Sequence, residues 1–300
     1  MRVKTECSFD GQHGGGAGAL SAPASSGRAA FTLIEMLVVI AILGLIAGLT
    51  VPALKNLGKA DATVSAGRQL LDDIGRARQL AISQRTTVSM VFVPEGFWTN
   101  TTYNSTATTT PWMAQMTFAE KSVVTNLCGA QLTGYVFIGR GTVGDQPGRH
   151  NWRYLSSWQT LPAGTFIAPL KFRTPKQVAS VIFLENNPNS PFTVYGFMTN
   201  AVPFPVETNS TLFLNLPCLM FDSLGHLVDE SGQVLSRHEY IPLARGSVAP
   251  STDPATKTYQ LSAPSVAEVP SGNSTNISAN IIDIDPLTGR ALLQFFKMEP

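Results

Sequence analysis

The sequence predicts an α+β fold: one long N-terminal α-helix packed on a C-terminal antiparallel β-sheet or sandwich head. Three observations carry this. An apolar run, Phe31–Leu54, continues without a break into an amphipathic helical pattern that reaches Ser83. Of the 20 prolines, 18 lie after residue 85, which confines long helices to the first third of the chain. Beyond Arg85 the helical period gives way to short apolar runs separated by turn-forming residues, with no helical segment between them.

Residues 1–30 are rich in Gly, Ala and Ser and carry Arg2, Lys4 and Arg28, so they read as a leader that buries too little surface to fold. Residues 31–54 are then expected to be the transmembrane part of the helix, because nineteen helical residues (Phe31–Leu49) cover roughly 30 Å, the hydrocarbon thickness of a bilayer. The weakly basic flank favours a cytoplasmic N-terminus. Residues 55–85 follow as an exported amphipathic half, with Leu54, Leu57, Val64, Leu71, Ile74 and Ala81 on one face. Arg68–Asp72 and Asp72–Arg76 are spaced for ion pairs on the opposite face. A cleavable secretory signal is the rival reading, with Val51-Pro52-Ala53 as its cut. The uninterrupted pattern downstream argues against removal.

One carboxylate, Glu35, lies inside the apolar run. Charge in hydrocarbon costs several kcal/mol, so such a group marks function and needs a partner, expected here on another chain. Gly44 and Gly48 form a small-xxx-small pair that lets helix backbones approach closely. Pro52 removes one helical hydrogen bond and is expected to kink or loosen the helix there.

Ala30-Phe31-Thr32-Leu33-Ile34-Glu35, the apolar run behind it and Pro52 together resemble the processing signal of type IV prepilins and type II secretion pseudopilins. The resemblance implies cleavage between Ala30 and Phe31 by a prepilin peptidase and methylation of the new amino terminus. It also implies that Glu35, at the fifth mature position, pairs with the terminal ammonium of a neighbouring subunit. Other pilin or pseudopilin subunits and an inner-membrane assembly platform are the implied partners. That family usually has Gly before the cut, where this chain has Ala30. Leu70–Val93 further resembles the H-type minor pseudopilins (the FimT/GspH group). Trp158–Thr165 and Thr288–Ala291 resemble the prepilin-like Verru_Chthon cassette protein D group.

Residues 86–300 are expected to form the β-rich head. Thr87–Val93 reads as a half-buried strand with Val88, Met90 and Phe92 inward. Strands are also predicted at Tyr135–Ile138, Ser180–Leu184, Thr193–Phe197, Thr211–Leu214, Cys218–Phe221, Glu239–Leu243, Asn280–Ile284 and Ala291–Lys297. Turn signals stand at Asn187-Pro188, Ser190-Pro191, Asp222–Gly225 and Asp285–Gly289. Asn100–Thr110, Ser247–Pro254 and Ser262–Ser278 read as long polar loops. Asn-x-Ser/Thr patterns at Asn100, Asn104, Asn209 and Asn273 predict no modification, since Asn/Thr-rich loops produce them by chance.

The net charge of +1 argues against a general nucleic-acid binder. His150, His226 and His238 lack metal-ligand spacing, and Asp283 and Asp285 precede a Gly turn without the full calcium-loop pattern. No nucleophile elbow, P-loop or dinucleotide fingerprint is present. The chain is therefore expected to be neither an enzyme nor a cofactor or metal protein. Cys7 lies in the leader, which leaves Cys128 and Cys218 either as a candidate disulfide or as two buried thiols. Trp98, Trp112, Trp152 and Trp158, with Phe97, Tyr103 and Tyr154, form an aromatic group read chiefly as core packing. The functional alternatives to an assembly subunit are a membrane-anchored extracytoplasmic binding module for glycan or protein and, third, a tethered hydrolase.

Overall fold

The computed structural model describes residues 32–98, 116–141, 151–173, 176–184, 187–206, 212–257, 259–260, 262–274 and 278–297, the side chains of 47–62, 182–184, 187–192, 278–279 and 295–297 excepted. It is an α+β structure with antiparallel sheets. Contacts divide the chain into two compact units, Met1–Pro52 and Ala53–Pro300. The first helix, α1 (Leu33–Gln84), is assigned without interruption, Pro52 included.

In the first unit every described side chain from Thr32 to Ile46 is exposed, among them Leu33, Ile34, Ile40 and Leu45. Among the described residues no helix is long and apolar enough to cross a membrane. The expected span, residues 31–54, extends past the described side chains at both ends.

In the second unit α1 buries a stripe at Thr63, Ala66, Gly67, Leu70, Ile74, Ala77 and Ala81. The spacing of three and four residues is that of one helix face. This corrects the expected face by about one position: Val64 is 46 % exposed and Leu71 only half-buried. Adjacent apolar residues at 70 and 71 satisfy either registration, and the packing selects Leu70. Small residues dominate the stripe because the helix comes close to its neighbours. A Cβ on Gly67 would lie 2.9 Å from Leu293 Cδ2. The pairs expected from Arg68, Asp72 and Arg76 are not formed; the Arg76 guanidinium lies 5.7 Å from the Phe137 ring centroid.

A seven-stranded antiparallel sheet is centred on β1 (Thr87–Phe92). β1 pairs with β2 (Gly134–Arg140) on one side and β9 (Phe213–Phe221) on the other, with Val88 opposite both Gly139 and Phe221. β3 (Trp152–Tyr154) and β4 (Gln159–Thr160) add to β2, while β8 (Met198–Pro203) and β10 (Leu227–Val228) add to β9. A second sheet has β11 (Glu239–Ala249) flanked by β12 (Ser265–Glu268), β13 (Ser278–Ile284) and β5 (Thr165–Ile167), with β14 (Ala291–Lys297) beyond β13. β6 (Val178–Leu184) and β7 (Asn187–Tyr195) form a separate hairpin. The helices α2 (Phe118–Cys128) and α3 (Leu170–Arg173) complete the chain.

The first sheet is buried on both faces. Val88, Met90, Phe92, Tyr135, Phe137 and Phe221 share one core with the α1 stripe and with Ile241, Leu243 and Ile282 of the second sheet. Val91, Val136, Ile138, Leu216, Cys218 and Met220 share another with Val124, Leu127 and Cys128 of α2 and with Phe97, Trp98 and Phe204. The half-buried strand expected at Thr87–Val93 is thus buried throughout after Thr87, Ser89 included.

Other expectations are corrected as well. Helix α2 lies between strands where none was predicted; Thr117 caps it and accepts from Glu120 N while the Glu120 side chain returns to the Thr117 backbone. Asn187-Pro188 and Ser190-Pro191 lie inside β7 and are not turns. A two-stranded hairpin leaves an outer edge where Pro costs no ladder bond. The strands expected at Thr211–Leu214 and Cys218–Phe221 join in one strand, β9, which begins at Phe213; residue 211 lies outside the described residues. β11 extends to Ala249, and β12 occupies part of the expected polar loop. No disulfide joins Cys128 and Cys218: both are free and buried, and Cys128 Sγ donates instead to the Val124 carbonyl at 3.3 Å.

Candidate processing and assembly segment

The segment begins at Thr32, the first described residue, where the local sequence Thr32-Leu-Ile-Glu35 builds a helix start. The Glu35 carboxylate accepts from Thr32 N and from Thr32 Oγ1, both at 2.8 Å, while Thr32 Oγ1 accepts from Glu35 N at 3.2 Å. This is a reciprocal capping box. It satisfies backbone N–H groups that a helix end leaves free and holds an anion at the positive end of the helix dipole. Glu35 therefore has a partner within its own chain, which the sequence reading missed. Its signal was legible: Thr or Ser three residues before Glu, ahead of an apolar run.

Behind the cap, Leu33, Ile34, Leu37, Ile40 and Leu43 present uncovered apolar surface. A Cβ added to Gly44 would meet nothing within 4 Å, so that position stays open to close approach from outside. Ala30 and Phe31 lie outside the described residues. Gly48 and Pro52 are helical in backbone, and their surroundings also lie outside them.

The other candidate residues have structural partners. His226 Nδ1 lies 3.0 Å from Asp222 Oδ2, and Asp222 Oδ1 accepts the Leu224 and His226 amides. His238 Nδ1 lies 2.7 Å from Asp283 Oδ1. Asp285 accepts the Leu287 amide and the Thr288 hydroxyl, as a turn-stabilising carboxylate does, and these bonds hold it below the usual carboxylate range. Among the described residues no three His, Cys, Asp or Glu side chains gather as metal ligands do. Phe97, Trp98, Tyr154, Trp158 and Phe204 pack edge to face, and Trp158 Nε1 donates to the Pro205 carbonyl at 3.3 Å. His150, Trp112, Tyr103, Asn100, Asn104 and Asn209 lie outside the described residues. Asn273 is buried and holds the Arg245 backbone from both sides, which removes it from any modifying enzyme.

Residues 25–51 match the family of the prokaryotic N-terminal methylation motif. That match supports a type IV pilin-like protein. It spans Ala30, Phe31 and Glu35 together with the uncovered apolar segment, and a motif of this type implies interactions with a prepilin peptidase and with pilin subunits. Residues 52–300 lie beyond it. Comparison with curated proteins gives no match, and comparison with solved structures gives none either.

Proposed function

We propose that this chain is a structural subunit and not an enzyme. It is cleaved between Ala30 and Phe31, N-methylated, and assembled through its apolar N-terminal helix into a type IV pilus or a type II secretion pseudopilus. Before assembly it is held in the inner membrane by residues 31–54, N-terminus inside and head in the periplasm. The carrying observation is the methylation motif at residues 25–51 on a helical segment whose described apolar side chains, from Leu33 to Ile46, all remain uncovered. Uncovered Leu and Ile in that number favour lipid or neighbouring helices over water. Within the pilin-like group, the resemblance at Leu70–Val93 favours an H-type minor pseudopilin. The size and irregular loops of the head fit a minor subunit better than a densely repeated one.

Mass spectrometry of the mature N-terminus tests this reading. N-methyl-Phe31 is expected; a terminus at Met1 or Leu54 overturns it. Binding of glycans by the head, with no incorporation into filaments, would favour the anchored binding module instead.

A further inference from the structure

We propose that the chain carries an amide cross-link between the side chains of Lys171 and Glu239, formed by the two residues themselves in the folded head. Lys171, on α3, is completely buried; Glu239 opens β11 and its side chain is 3 % exposed. The amine contacts Glu239 Oε1 directly. The Tyr195 carbonyl accepts from Nζ at 2.6 Å, and the Phe197 ring centroid lies 4.8 Å away. The amine is thus fixed between a carbonyl, an aromatic face and the carboxyl group.

Removing both ions from water is costly, and the attraction between them repays it only in part. Arg237 adds a second positive charge: its guanidinium lies 3.8 Å from the Tyr195 ring centroid and it interacts unfavourably with the Lys171 ammonium. Burial first, and then Arg237, push the Lys171 amine below the usual lysine range, against the pull of Glu239. Transfer of one proton within the pair gives a neutral amine touching a neutral carboxylic acid, in a site that excludes water. Holding two reactants in that way replaces a bimolecular encounter.

The step balances without any further reagent. The Nζ lone pair attacks Glu239 Cδ and forms the C–N bond. The tetrahedral intermediate collapses with cleavage of one C–O bond, and an amine proton goes to the departing hydroxyl. One amide and one water result. The buried Arg237 Nε–H has no hydrogen-bond partner among the described residues, and the positive charge of Arg237, felt at Lys171, would favour the negative oxygen of the intermediate. The amide N–H keeps the Tyr195 carbonyl as its acceptor. The bond would close the chain covalently around β6 to β10, in a head whose two described cysteines are free.

Tryptic digestion of the denatured, full-length purified protein, read by mass spectrometry, is the test. The expected product is a branched peptide joining the Lys171 and Glu239 segments, one water lighter than their sum and uncut after Lys171. Glu239→Gln should give a branched peptide of the same mass, with ammonia as the leaving group, and Glu239→Ala should give linear peptides only. Cleavage after Lys171 with two linear peptides from the wild-type chain overturns the proposal, as does a branched peptide in Glu239→Ala. The wild-type digest decides even if a variant fails to fold.

Discussion

The Glu35 carboxylate closes on Thr32, three residues earlier, accepting from both its amide and its hydroxyl. The observed internal cap and the proposed assembly role of its charge can be separated by substitution. Glutamine can serve in a capping box but carries no charge. Glu35→Gln is expected to retain the helix start and lose assembly, while Thr32→Ala should cost about 1 kcal/mol of helix stability and leave assembly largely intact. Filament or complex yield for the two variants, at equal membrane levels, measures this. Normal assembly by Glu35→Gln would assign the residue to capping alone.

The α1 stripe makes a sharp contrast between two residues ten positions apart. Ile74 is fully buried, and Ile74→Ala should destabilise the head by about 2–5 kcal/mol. Val64 is 46 % exposed, and Val64→Ala should stay within about 0.5 kcal/mol. Denaturant midpoints of the two variants give the comparison, and equal losses would mean that the stripe is misplaced.

Gly289 has φ +60°, and a Cβ there would lie 2.1 Å from the Gly225 carbonyl oxygen. The two turns meet on Arg78, whose Nε donates to the Thr288 carbonyl at 2.7 Å. Gly289→Ala must therefore adopt a strained backbone and push two turns apart, at an expected loss of at least about 1–3 kcal/mol. Thermal unfolding reports it; an unchanged midpoint would mean that the turns separate freely.

Acid should weaken the head through its turn carboxylates. Asp229 accepts from the Ser231 hydroxyl and from the Ser231 and Gln233 amides, and is held below the usual carboxylate value. Its folded pKa lies under its unfolded one, so the unfolded chain binds more protons between the two. The stabilisation is complete above about pH 4 and is lost as pH falls through the folded value. Asp253 and Asp285 shift the same way, the first through the Thr256 and Ala255 amides, the second through the Leu287 amide. Asp229→Asn should flatten the acid side of a stability profile, and a profile parallel to wild type would remove Asp229 from this role.

The parts legible in the sequence were those fixed by local pattern. The helix expected to end near Ser83 ends at Gln84, and the Ala291–Lys297 strand has the bounds its composition suggested. The turns at Asp222–Gly225 and Asp285–Gly289 follow from Asp side chains that bond amides two residues on. What was not legible depends on partners distant in sequence. Leu70 and Leu71 are equivalent until the sheet chooses between them. Val91 looks outward until it joins the core that includes α2, and Ser89 until Asn200 of β8 reaches its hydroxyl. Lys171 and Glu239 stand 68 positions apart, and nothing in either neighbourhood announces the other. For the processing segment, Glu35, the apolar run and the Thr-x-x-Glu spacing of the cap with Thr32 are all local in sequence and therefore readable.

The shared core of α1 and the two sheets also dictates an order of events during synthesis. The stripe from Ala66 to Ala81 emerges early, yet the residues that cover it include Phe221, Ile241 and Ile284. Chains are made from the N-terminus, and distant pairings form slowly. For most of its synthesis the growing polypeptide therefore carries a greasy strip that β1 and β2 cover only in part. The shared core is complete only once the last third of the residues, with Phe221, Ile241 and Ile284, is available.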